Sequence, residues 1–226
     1  LIPLMATFTE ENYLKAIYKL AERSGKPDVS TTALADALDT RAASVTEMLR
    51  RLADKGAVRY EKYRGASLTD VGRSVAVLTI RRHRLWEVFL VDKLGFSWDE
   101  VHEVAEEMEH LTSPLLLERL DAFLGHPVVD PHGDPIPSAD GRVRPRPAAQ
   151  RPLAAVQPGP ARLCVTGLLD TGTAFLQHLD RLGLRPGTTL MVVERLEYDG
   201  TVRVRRAGDV AETVVSRETA EQVLVQ

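Results

Sequence analysis

Cysteine is almost absent from these 226 residues, and Cys164 stands alone. A single thiol excludes any disulfide within the chain and points to a reducing, cytoplasmic setting. Cys164 sits in the apolar run 163–165, where a buried structural thiol is expected. No apolar run approaches the ~18 residues that a membrane span requires, so no membrane association is expected. The opening run 1–8 is apolar but short and lacks a preceding basic residue, so it does not read as a signal peptide. No internal repeat is present. Neither a Gly-x-Ser-x-Gly elbow nor a Walker-type glycine loop occurs, and in place of His-Glu-x-x-His stands His102-Glu103-Val104-Ala105-Glu106. The chain is therefore not expected to be an enzyme or to have a small-molecule substrate.

What is present is an ordinary globular composition, 44% hydrophobic and 27% charged, with a length suited to two or three domains. The net charge of -3 conceals an asymmetry. Residues 1–73 carry 12 Lys and Arg against 10 Asp and Glu; 74–141 carry 5 against 13; 142–226 carry 12 against 9. An acidic surface repels DNA and attracts cations, so a basic head on an acidic middle suggests two different partners.

The first segment reads as a helix opening at Thr9, with Tyr13, Leu14, Ile17, Tyr18 and Leu20 at helical spacing. Ser30 caps a second helix over 31–38, Asp39-Thr40-Arg41 makes a tight turn, and a third helix over 42–55 ends at Gly56. Leu34, Leu38, Val45, Leu49 and Leu52 share one apolar face, and small Ala35 allows close approach, which is a helix-turn-helix pattern. Residues 58–68 then form a hairpin with a basic tip, the wing of a winged helix, and Asp70 is placed to cap a long helix over 71–94. In such a motif the start of the second helix enters the major groove, so Ala43, Ser44, Thr46 and Glu47 are candidates for base edges. Arg41, Arg50, Arg51, Lys62 and Arg64 are placed for phosphates.

The acidic middle carries the second chemistry. Ser97-Trp98-Asp99-Glu100 reads as a capping box opening a helix. At 100° per residue, His102, Glu106, Glu109 and His110 fall in one sector, away from Val101, Val104, Ala105 and Met108. The preceding helix offers His83 and Glu87, another i, i+4 pair. Bunched carboxylates repel unless a cation neutralises them, and oxygen with imidazole suits Mn²⁺, Fe²⁺ or Zn²⁺. A solvated acidic face with incidental histidines is the plainer alternative. Towards the C-terminus, Pro145, Pro147, Pro152, Pro158 and Pro160 mark 142–160 as an extended linker. Strands are expected at 163–168, 189–196, 202–206 and 213–215, with a helix at 175–182 and a hairpin turn at Asp199-Gly200. That pattern fits an SH3-like fold with a packing role.

Several stretches together resemble the diphtheria-toxin-repressor family of metal-dependent regulators. They are Glu11-Asn12-Tyr13-Leu14 with Ile17-Tyr18, Ser44-Val45-Thr46, Leu68-Thr69-Asp70-Val71-Gly72, Arg82-His83-Arg84-Leu85-Trp86-Glu87, Glu106-Glu107-Met108-Glu109-His110, and Pro131-His132-Gly133-Asp134-Pro135-Ile136-Pro137. The resemblance implies a mainly α protein with a C-terminal all-β domain. Its parts would be a winged helix-turn-helix DNA-binding domain (5–73), a helical dimerisation and metal-binding domain (74–141), the linker, and an SH3-like, FeoA-like barrel (161–226). It implies a cytoplasmic homodimer that represses transcription on a palindromic, double-stranded operator when loaded with Mn²⁺; an Fe²⁺-dependent repressor is the alternative.

By position, the resemblance puts a primary metal site at Asn12, Glu106, Glu109 and His110. Additional donors would be His83, Glu87 and His102, with Asp130, His132 and Asp170 matching a second-site pattern of longer manganese-type members. Glu106 stands where iron-type members carry Cys, which favours manganese. Asn12 stands where manganese-type members often carry Asp, and Lys15 replaces a carboxylate of the shortest manganese members. Two other readings remain: a metal-dependent hydrolase carrying a winged helix, and a winged-helix regulator triggered by a small molecule.

Overall fold

A computed structural model describes residues 6–226; the apolar opening at 1–5, with the expected start of the first domain, lies outside them. The chain divides into two compact units. One holds the described residues up to His83 together with Met108–Ser113 and Pro137–Val143; the other holds Arg84–Glu107, Pro114–Ile136 and Arg144–Gln226.

In the first unit, α1 (Phe8–Ser24) precedes α2 (Thr31–Ala37) and α3 (Ala42–Asp54). The cap of α1 is Thr7 rather than Thr9. The Thr7 hydroxyl accepts from the Glu10 N–H, and the Glu10 carboxylate accepts from the Thr7 N–H at 2.9 Å, a reciprocal box that needs a three-residue spacing. Ser30 caps α2 by accepting from the Ala33 N–H at 3.1 Å. Leu34, Val45, Leu49 and Leu52 are completely buried and join Leu14 and Ile17 of α1 in one core. The chain then forms the hairpin β1 (Val58–Glu61) and β2 (Gly65–Leu68), antiparallel with Val58 opposite Leu68. The long α4 (Asp70–Leu94) is capped by Thr69, not Asp70: its hydroxyl accepts from the Gly72 N–H at 3.2 Å.

The second unit takes the later part of α4, then α5 (Val101–Met108) and α6 (Pro114–Phe123). Residues 98–100 form a turn rather than the first turn of α5, and Glu109 and His110 lie beyond its last residue. A six-stranded antiparallel sheet follows, in the order β3-β8-β4-β5-β6-β7. Its strands are β3 (Arg151–Pro152), β4 (Leu163–Leu168), β5 (Thr189–Arg195), β6 (Val202–Arg206), β7 (Thr213–Val215) and β8 (Val223–Val225), with α7 (Thr173–Leu182) and α8 (Arg217–Gln222) between them. Within the proline-rich run, β3 pairs at the sheet edge, where the missing N–H of Pro152 is tolerated, and Leu153 is fully buried. Val165, Leu176, Leu179, Val204 and Val223 fill the core, and Trp98 reaches it from outside the sheet, its indole N–H donating to Asp180 at 2.9 Å.

Candidate functional site

The helix-turn-helix presents one polar face. Arg41, Ala43, Ser44, Glu47, Arg50 and Arg51 are exposed along the start and outer side of α3. Thr46 is half-buried and its hydroxyl donates to the Ala42 carbonyl at 2.9 Å. Arg51 lies 3.1 Å from Glu10 of α1, so this guanidinium serves the fold as well as the surface. At the wing tip Lys62, Tyr63 and Arg64 are exposed; the Lys62 ammonium sits 5.0 Å from the Tyr63 ring centre, and Arg64 pairs with Glu61 at 3.1 Å.

Also within the first unit, charged side chains meet below the surface. Glu109 is completely buried. Its two oxygens accept from the Lys15 ammonium at 2.6 and 2.8 Å, and His83 Nδ1 lies 2.7 Å away. Burial alone would raise the Glu109 pKa; the His83 hydrogen bond and the Lys15 charge overcome it and hold the carboxyl below its ordinary range. Arg82 donates to Glu11 at 2.6 Å, to Thr79 at 2.8 Å and to the Glu109 carbonyl. The other Glu11 oxygen lies 2.6 Å from His110 Nδ1, and the His110 ring stacks on Phe8. Asn12 keeps a buried Oδ1 with no hydrogen-bond partner, an acceptor that suits a cation.

The second unit holds another cluster. Glu87, Asp130 and His132 are all buried, with one donor atom from each lying within 4.8 Å of the others. His132 Nε2 meets the Trp98 carbonyl at 2.8 Å. A carbonyl only accepts, so Nε2 carries a proton, and Nδ1 is the nitrogen that faces Glu87, at 3.8 Å. Asp130 Oδ1 accepts from the backbone N–H groups of His132 and Asp134, both at 2.9 Å, which fixes the carboxylate in the turn. Burial, helped by the negative charges of Glu87 and Asp134, pushes Asp130 up to about 7. Burial would lower His132, but its hydrogen bond to Glu87 and the charges of Glu87 and Asp130 bring it to about 9. Two buried carboxylates and an imidazole that gather positive charge, without sulfur, fit a hard or borderline divalent ion.

The remaining expected ligands are distributed more loosely. His102 reaches Glu87 through Nδ1 and Glu106 through Nε2, each at 3.3 Å. Glu106 lies on α5 in the second unit, whereas Asn12, Glu109 and His110 belong to the first. Asp170 is exposed and its carboxylate accepts from the Gly172 N–H at 2.9 Å in a surface turn. Sequence reasoning missed Glu11 and Arg82 as partners of these groups. The available signal was the Arg81-Arg82-His83-Arg84 run between the apolar stretches of α4; the i, i+4 spacing of Glu11 and Lys15 on α1 points only to a local pair.

Comparison with known proteins matches three regions. Residues 5–66 match the family model "Iron dependent repressor, N-terminal DNA binding domain", and 69–138 match "Iron dependent repressor, metal binding and dimerisation domain". Residues 151–226 match the FeoA domain. The iron-dependent repressor IdeR of Mycobacterium bovis is 37% identical over 129 residues, covering 57% of this chain and 55% of that protein, so the match spans about half the length of this relative. The transcriptional regulator MntR of Oceanobacillus iheyensis is 36% identical over 54% of this chain and 81% of its own. A solved manganese-dependent transcriptional repressor, in complex with manganese, superposes with a TM-score of 0.83 at 38% identity, covering 96% of this chain and 98% of that one.

Proposed function

Since the chain belongs to the iron dependent repressor family, that of the diphtheria toxin repressor, we propose that it is a homodimeric transcriptional repressor switched on by a divalent metal ion, Mn²⁺ by preference. One observation carries the metal half of this reading: the buried Glu87, Asp130 and His132 cluster, built of oxygen and imidazole donors. Asn12, Glu106, Glu109 and His110 are the groups proposed to hold one ion. Glu87, Asp130 and His132, with His83, His102 and Asp170 as additional donors, would hold a second. A bound ion supplies two positive charges that draw such donors together.

The residues of this chain do the rest. Ser44, Thr46, Ala43 and Glu47 offer α3 to base edges, and Arg41, Arg50, Arg51, Lys62 and Arg64 offer charge to phosphates. Two heads of a dimer must meet successive major grooves about 34 Å apart, which calls for a palindromic operator. Metal sensitivity follows if ligation by residues of α1 and of the helical middle favours the DNA-competent arrangement, a coupling typically worth about 1–3 kcal/mol. An Fe²⁺-dependent repressor is the second reading, and it is favoured by His102, which meets Glu87 at 3.3 Å.

The test is operator binding titrated against Mn²⁺ and Fe²⁺ under anaerobic conditions. Glu106→Ala should lose metal-stimulated binding while sedimenting as a folded dimer. A Glu106→Ala protein whose gel shifts still respond to Mn²⁺ would remove Glu106 from the site. Steady hydrolysis of a phosphoester by the metal-loaded wild type would move the protein to another class altogether.

A further inference from the structure

The Glu109 carboxylate draws its neutralising charge from inside the chain. Both of its oxygens accept from the Lys15 ammonium at 2.6 and 2.8 Å, and neither partner is solvated: Glu109 is 0% and Lys15 6% exposed. Around them the permanent charges balance. Glu11 and Glu109 are negative, Lys15 and Arg82 are positive, and all four are buried. Adding a divalent ion to this network leaves it with an excess of positive charge in a poorly screened place, where like charges at contact distance repel strongly.

Both Glu109 oxygens are already taken by Lys15, so an ion that binds there competes with a resident cation, and the two resident cations differ in how they are held. Arg82 is clamped by Glu11, Thr79 and the Glu109 carbonyl, a planar fork fixed on several acceptors. Lys15 is a compact point charge on a flexible four-carbon stem, and such a head can swing to water while its stem stays packed. We propose that the Lys15 ammonium is a built-in competitor of the divalent ion, occupying Glu109 in the metal-free chain and leaving that carboxylate when the metal binds. The inference rests on the reading of Glu109 as a ligand. It assigns Lys15 a positioning role: the residue sets the metal concentration at which the protein responds, and it keeps the metal-free core neutral and folded.

The experiment uses the full chain as wild type, Lys15→Gln and Lys15→Arg, titrated calorimetrically with Mn²⁺ alone and melted with and without it. Removing a competing unit charge at contact distance should tighten Mn²⁺ binding about tenfold or more in Lys15→Gln. The same variant should melt lower than wild type without metal and recover with Mn²⁺. Lys15→Arg, which keeps the charge but on a fork that yields less readily, should bind Mn²⁺ no more tightly than wild type. A Lys15→Gln protein that folds and binds Mn²⁺ with unchanged or weaker affinity overturns the proposal while leaving the metal reading intact. Absence of Mn²⁺ binding in all three proteins overturns the metal reading, and the proposal with it. Should Lys15→Gln fail to fold, the wild type still decides. The slowly exchanging ammonium signal of buried Lys15, followed by nitrogen-15 NMR during titration with diamagnetic Zn²⁺, should disappear at saturation; its persistence there contradicts the exchange.

Discussion

Single residues carry the stability of the reading head in a way that hydropathy alone misjudges. Glu10 is fully buried, yet it is a carboxylate. It closes the α1 capping box and binds Lys55 at 2.8 Å and Arg51 at 3.1 Å, tying the start of α1 to the end of α3. Burial pushes its pKa up, but the hydrogen bonds from Lys55 and the Thr7 backbone and the charges of Lys55 and Arg51 hold it below the ordinary carboxylate range. A lowered folded-state pKa means that this stabilisation is complete above the ordinary value and is lost as pH falls through the folded one. Glu10→Gln should therefore destabilise the head by about 1–3 kcal/mol at pH 7, the cost of weakening a buried, charge-assisted set of bonds. Thermal melts of wild type and variant should converge as pH drops below 4; a gap constant from pH 7 to pH 3 would show that the charge is irrelevant. At this scale the sequence was only partly legible. Glu10, Glu11 and Lys15 look like the solvated side of an amphipathic helix, and nothing local says that each has a distant partner of opposite charge.

Elements are where periodicity speaks most clearly, and where its reach ends. The helix-turn-helix, the wing and α4 were readable because caps, glycines and apolar spacing agreed with one another. The caps fall one or two positions from the expected ones because neighbouring capping residues compete, Thr7 with Thr9 at α1 and Thr69 with Asp70 at α4, and only backbone geometry selects between them. The 100° arithmetic extended through His110, although α5 stops at Met108, so Glu109 and His110 are placed by a turn rather than by a helix face. β8 escaped notice because Val223-Leu224-Val225 is too short to display a period, yet it lies between β3 and β4 and is buried throughout. The turn at 130–134 offers a test at this scale. Gly133 has φ +87, and a methyl there would land on the Thr166 carbonyl oxygen of β4. Gly133→Ala should thus displace the turn that holds Asp130 and His132, weakening Mn²⁺ binding at least tenfold and lowering the melting temperature. Calorimetry giving wild-type affinity in a folded Gly133→Ala protein would detach the turn from metal binding.

For the molecule as a whole, the charge division along the chain makes a quantitative demand on DNA binding. Phosphate contacts release counterions, so log K falls with log salt by about 0.9 per contact. The wing residues Lys62 and Arg64 are exposed on a tip that is otherwise uncharged apart from Glu61, the partner of Arg64 at 3.1 Å. In a dimer each occurs twice, so Lys62→Ala should reduce the salt slope by about 2 if both copies touch phosphate. Its affinity should fall equally on operator and unrelated DNA, because phosphates carry no sequence. Arg64→Ala should reduce the slope at least as much, since freeing Glu61 adds a repelling charge whose penalty is itself screened by salt. Ser44→Ala should behave in the opposite way, leaving the slope unchanged while costing about 1–3 kcal/mol of preference for operator over unrelated DNA. A salt series on these three variants separates the two roles. If Lys62→Ala leaves the slope at the wild-type value, the wing does not meet the backbone, and the basic residues that position the head must be sought along α3 alone.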